Sequence, residues 1–143
     1  MAQLGFYHLT RTTPDAALPG LLERTLAAGE RAVVRCGSVA RVAVLDKALW
    51  GAEWLPHGSA KTGHAEVQPI WLTAGDENPN SARYVFLLDG TGTDWGAWDR
   101  VFDLFDGGDE AAVLAARGRW VAAKEAGHGL TYWRQTETGW SKG

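Results

Sequence analysis

The sequence predicts a single α/β domain with a mostly parallel central sheet and helices on both faces. Two observations carry the prediction. Short runs rich in β-branched and aromatic residues alternate along the chain with segments whose apolar residues recur at helical spacing, the pattern of successive βαβ units. The run Ala32-Val33-Val34-Arg35-Cys36 is nearly continuous in apolar character, as in a strand buried on both faces. At 143 residues the chain has the length of one domain. Its crossovers are expected to be right-handed.

The elements follow in order. Leu4 to Leu9 reads as a first strand. Thr13-Pro14-Asp15 opens a helix, with Thr13 as cap, Pro14 in the first turn and Asp15 complementing the positive end of the dipole. Leu18, Leu21, Leu22 and Leu26 give that helix its apolar face, and Gly29 stops it. Arg31 to Cys36 is the second strand. Ser38 begins a helix in which Val42, Leu45 and Leu49 repeat at helical spacing, and Gly51 ends it. Trp54 to Gly63 is irregular, Val67 to Thr73 a third strand, Gly75 to Arg83 a polar loop, and Tyr84 to Leu88 a fourth strand. Asp94 is expected to cap a helix whose Trp95, Trp98, Val101, Phe102 and Phe105 face the core. Asp109 caps a long helix ending near Gly127, and Leu130 to Gln135 is a last strand. Residues 1–135 form the domain, and 136–143 are expected to be a loosely ordered tail that Trp140 could pin.

Composition narrows the function. Fourteen Lys and Arg stand against 17 Asp and Glu, a net charge of −3, which disfavours tight binding to a nucleic-acid backbone. The single cysteine, Cys36, excludes an intrachain disulfide and reads as a buried strand residue. The first residues lack the charged and apolar regions of a signal peptide, and no run approaches the roughly 20 apolar residues that span a bilayer, so a cytoplasmic protein is expected. Eight tryptophans exceed what one small core can centre, so some are expected at partner surfaces.

Catalytic and cofactor chemistry finds little support. Gly58-Ser59-Ala60-Lys61-Thr62-Gly63 has the Lys-Thr pair of a phosphate loop, but Ala60 stands where a glycine is needed and no buried strand leads into it. The first strand is followed by Thr10-Arg11-Thr12-Thr13-Pro14, with no glycine for a dinucleotide fingerprint. His57, His64 and Glu66 are too loosely spaced for a zinc site. Asp99, Asp103 and Asp106 share one face of the expected helix and read as a solvated face, with Asp109 as a cap. No metal, cofactor or catalytic set is therefore assigned. A small nucleotide-dependent enzyme and a direct single-strand binder that stacks bases on tryptophan remain as alternatives.

The C-terminal helix carries the strongest signal. At about 100° per residue, Val113, Arg117, Trp120 and Lys124 fall on one stripe. Leu114, Gly118 and Val121 form a second, expected to face the core. A tryptophan between cations, which prefer water, suits a surface that holds something small, acidic and partly apolar, such as a peptide tail.

These residues resemble a known family, the chi subunit of bacterial DNA polymerase III holoenzyme. The resemblance runs through Gly5-Phe6-Tyr7-His8-Leu9, Leu45-Asp46-Lys47-Ala48-Leu49-Trp50, Leu55-Pro56-His57-Gly58, Pro69-Ile70-Trp71-Leu72, Phe102-Asp103-Leu104-Phe105-Asp106-Gly107 and Ala116-Arg117-Gly118-Arg119-Trp120. It implies a Rossmann-like or helicase-like fold without nucleotide chemistry. It also implies a non-catalytic adaptor that binds the acidic C-terminal tail of single-stranded-DNA-binding protein, ending in Pro-Phe, and the psi subunit of the clamp loader. The family's tail-binding motif falls on Arg117 and Trp120, with Lys124 adding charge and Gly127 and Leu130 matching the turn that follows. Trp120 stands where the family commonly has tyrosine, and Val113 where some relatives carry lysine. Apolar residues around Trp50, Trp54 and Leu55 are the expected psi footprint.

Overall fold

The computed structural model describes residues 2–52 and 55–143. Among them the chain forms eight strands and three α-helices: β1 (Gln3–Leu9), α1 (Pro14–Ala27), β2 (Ala32–Arg35), α2 (Val39–Ala52), β3 (Gly58–Ser59), β4 (Ile70–Thr73), β5 (Tyr84–Leu87), β6 (Arg100–Asp106), α3 (Glu110–Glu125), β7 (Gly129–Gln135) and β8 (Trp140–Lys142). One sheet takes all the strands in the order β3-β4-β2-β5-β6-β1-β7-β8. Every pairing is parallel except the terminal β7–β8 hairpin. The expected fold class is therefore the observed one.

Pleating sends alternate side chains to two cores. On one face Leu18 and Leu22 of α1 and Leu45 and Leu49 of α2, all fully buried, meet Val34, Leu72, Phe86, Phe102 and Leu104. Each such leucine contributes on the order of 1.5–3 kcal/mol. On the other face α3 seats the small residues Ala116 and Ala123 over Leu4, Phe6, Val101 and Phe105. The N-caps expected at Thr13 and Asp109 form: Thr13 accepts from the Ala16 amide, and Asp109 from the Ala111 and Ala112 amides. At the other end of α3, Gly127 adopts φ +85°, the left-handed turn that glycine tolerates without a Cβ penalty.

Three expectations are corrected. The segment from Asp94 is not a helix: Asp94 caps one 3₁₀ turn, Trp95–Ala97, and Arg100–Asp106 is the central strand β6, with Val101 to Phe105 all buried. Asp103 broke the apolar run and gave it a helical look. That aspartate is not solvated but 3% exposed. The stripe Leu114, Gly118, Val121 does not face the core; Leu114 is 69% and Val121 53% exposed. Alanines take the inner face because the sheet beneath already presents large aromatic rings, and only small residues let the helix approach. Finally, the tail expected to be loosely ordered returns as β8, and Trp140 packs edge-on to Tyr7 at 5.1 Å between centroids.

Candidate functional site

The connection β6–α3–β7 crosses β1, so α3 lies over three adjacent strands. The parallel register aligns their residues in rows: Asp103, Phe6 and Tyr132 in one, Phe105, His8 and Arg134 in the next. From these rows Phe6, His8, Phe105 and Tyr132 floor a cavity of about 410 Å³, and α3 walls it with Val113, Ala116, Arg117, Trp120 and Val121. The volume is within the range of small-ligand sites.

The rings hold one another in place. Trp120 is half-buried and stands edge-to-face on Phe6 at 5.3 Å and on Tyr132 at 6.4 Å. The His8 ring stacks on Phe105 at 5.0 Å, and its Nδ1 shares a hydrogen bond with the Tyr132 hydroxyl. Gly107 completes this end. A Cβ there would sit 2.6 Å from the Leu9 carbonyl oxygen and collide with the His8 ring. Burial, with Arg134 and Arg117 nearby, pushes the His8 pKa below its usual value, so the imidazole is neutral at pH 7. Arg117 is exposed at the mouth and makes no ion pair among the described residues. The result is an apolar, aromatic slot with one uncommitted guanidinium at its rim. It can grip an aromatic or aliphatic group while offering a carboxylate two parallel hydrogen bonds.

The seat of α3 is fixed by a second arginine. Arg119 donates from Nε and Nη2 to both carboxylate oxygens of Asp103 at 2.7 and 2.9 Å. Burial raises the Asp103 pKa, and Arg119 opposes the rise.

All of the cavity lining except Tyr132 lies inside a stretch that is similar to known proteins. Residues 1–131 match the family described as DNA polymerase III chi subunit, HolC. The chain belongs to that family. It is also 28% identical over 94 residues to the probable DNA polymerase III subunit chi of Rickettsia prowazekii (strain Madrid E), covering 64% of this chain and 57% of that protein. The chain thus spans a little over half the length of this relative.

Within this chi-family chain the expected site residues separate. Arg117 and Trp120 line the cavity. Lys124 is exposed one turn farther along α3, Gly127 is the exposed helix stop, and Leu130 is half-buried in the core under α3. None of these three lines the cavity. Phe6, His8, Phe105 and Tyr132 escaped the sequence reading because they lie on three strands brought together by tertiary register. The alternation Leu4, Phe6, His8 was the available signal.

Around the other expected surface, Trp50 is 47% exposed and its ring lies 4.2 Å from that of His57. His57 is itself buried, with Nδ1 on the Leu55 carbonyl at 2.7 Å and Nε2 on the Asp46 carboxylate at 2.8 Å. Leu55, expected to be exposed, is 3% exposed and belongs to the core. Trp54 lies outside the described residues. His64 is exposed in a left-handed turn.

Two features bear on nucleotide chemistry. The Lys61 segment is the edge strand β3 followed by a closed turn, in which the Thr62 and Gly63 amides donate to the Ser59 carbonyl. The crevice beyond the carboxyl ends of the strands, where such folds receive phosphates, is lined by Asp15, Asp89, Asp106 and Asp109. Its two arginines are engaged: Arg41 by Asp15 at 2.7 Å and Asp89 at 3.2 Å, Arg119 by Asp103. A phosphate there meets carboxylates. No helix among the described residues is long and apolar enough to cross a membrane.

Proposed function

We propose that this chi-family chain is a replication adaptor. Its aromatic cavity takes the terminal phenylalanine of the acidic C-terminal tail of single-stranded-DNA-binding protein. Arg117 pairs with a carboxylate of that tail, and Lys124 adds longer-range attraction. The observation that carries the reading is the guanidinium of Arg117 at the rim of a slot whose wall is Trp120. A group with an apolar body and an adjacent anion fits that combination and little else does. The lining offers no carboxylate or thiol and only one hydroxyl, Tyr132, already bonded to His8, which suits capture rather than bond-making. The chain accordingly acts as a non-catalytic, cytoplasmic subunit, joined to the clamp loader through psi. The psi footprint is placed around Trp50, with Trp54 beside it in sequence, and the link to DNA is indirect.

The test is a titration of an acidic peptide ending in Pro-Phe, followed by intrinsic tryptophan fluorescence. Micromolar binding, about 8 kcal/mol, that is lost in Trp120→Ala supports the reading. An unchanged affinity in that variant contradicts it.

A further inference from the structure

One apolar surface is explained neither by the core nor by the cavity. Leu114, Gly118 and Val121 lie on the outward side of α3, where Leu114 and Val121 are the large apolar residues most exposed on that helix. Gly118 is open, with no atom within 4 Å of where a Cβ would stand. The stripe is continuous with the cavity, because Val121 also lines it. Its charge setting is one-sided. The acids of α3, Glu110 and Glu125, sit at the two ends of the helix. Between them the only charged side chains are Arg117, Arg119 and Lys124, and Arg119 is committed to Asp103.

We infer that this stripe is a second, apolar subsite for the same peptide whose end enters the cavity, taking a bulky apolar side chain upstream of the terminal aromatic, so that the site reads an extended segment and not only a C-terminus. The inference rests on the proposed capture of an acidic tail. Geometry sets the spacing. Leu114 and Val121 are two turns apart, about 10 Å along the helix, and an extended chain advances about 3.3 Å per residue. The side chain that reaches the stripe is therefore about three residues before the terminus. Its neighbours on the chain, if acidic, run beside Arg117 and Lys124. The missing side chain at Gly118 lets the peptide backbone lie close to the helix.

A double-mutant cycle between protein and peptide tests this. Two acidic peptides ending in Pro-Phe, one with leucine and one with serine about three residues before the end, are titrated into the full chain and into Leu114→Ser. Leu114 is 69% exposed, so the substitution leaves the fold and Tm essentially unchanged. The expected result is that the leucine peptide binds the native chain about fivefold more tightly than the serine peptide, and that Leu114→Ser removes this difference. Equal binding of both peptides by the native chain, with no effect of Leu114→Ser, overturns the subsite and leaves the cavity reading standing. Failure of both peptides to bind the native chain overturns the cavity reading, and the subsite falls with it. A concentration-dependent dimer that Leu114→Ser dissociates without altering peptide affinity also overturns the subsite and gives the stripe to a second copy of the chain.

Discussion

Removing either partner of the Asp103–Arg119 pair destabilises the protein, but by unequal amounts. The Asp103 side chain is 4% exposed and that of Arg119 18%. Arg119→Ala leaves a carboxylate in the core with its two charge-assisted bonds gone and no route to water, so the cost falls in the range for breaking a buried pair, about 3–4 kcal/mol. Asp103→Ala leaves a guanidinium on a long stem that can swing outward and rehydrate, and the cost drops to about 1–2 kcal/mol. The double variant has no stranded charge and should be less destabilised than Arg119→Ala alone, by about 1 kcal/mol or more. Urea unfolding at constant m reads these differences directly, and for a chain of this size they correspond to about 3 °C in Tm per kcal/mol. The Arg119→Ala deficit should also depend on pH. Stranded Asp103 has a folded pKa above its unfolded value of about 3.9, so the folded form binds the extra proton. Stability is then lost as pH rises through that folded pKa, and the deficit is larger at pH 7 than at pH 5. Equal costs for the two single variants, or a double variant as weak as their sum, would refute the claim that the buried carboxylate sets the energetics of this contact.

Two further predictions concern single groups. His8 faces Tyr132 and Arg134 from β7, Arg117 from α3, and Phe105 and Gly107 from β6 and the turn after it. An arriving carboxylate raises its depressed pKa, so peptide binding should take up a proton and strengthen severalfold from pH 7.5 to pH 5.5, while the peptide carboxylates stay ionised; calorimetry in buffers of different ionisation enthalpy that shows no proton uptake contradicts this. Burial pushes the Cys36 thiol up to about 12, so a thiol reagent at pH 7.5 should label the native chain only at the rate of unfolding, and rapid native labelling would count against its placement.

The sequence was most informative where one local rule decided the outcome. The caps at Thr13 and Asp109, the stop at Gly127 and the doubly buried strand through Val33 and Val34 all rest on short-range chemistry. It misled where a tertiary partner overrode the pattern. Asp103 reads as a surface residue until Arg119, sixteen positions later, is known to reach it. That one pairing turned a buried strand into an apparent amphipathic helix. Leu114 and Val121 outrank Ala116 and Ala123 on any hydrophobicity scale, yet it is the alanines that are buried over β1, β6 and β7, while Leu114 and Val121 face outward. Of the candidate site, the helix contribution through Arg117 and Trp120 was legible because both residues lie on one helical stripe. The floor residues Phe6, His8, Phe105 and Tyr132 were not, because their proximity is a property of strand order and register, which no local window contains.

The most direct test of the central claim is a cycle between Arg117→Ala and amidation of the peptide's C-terminus, measured by fluorescence titration. If Arg117 pairs with the terminal carboxylate, each change alone weakens binding by about 1.5–3 kcal/mol, and the two together cost little more than one. Arg117→Ala binding as tightly as the native chain, or losses that simply add, would contradict the pairing on which the account rests.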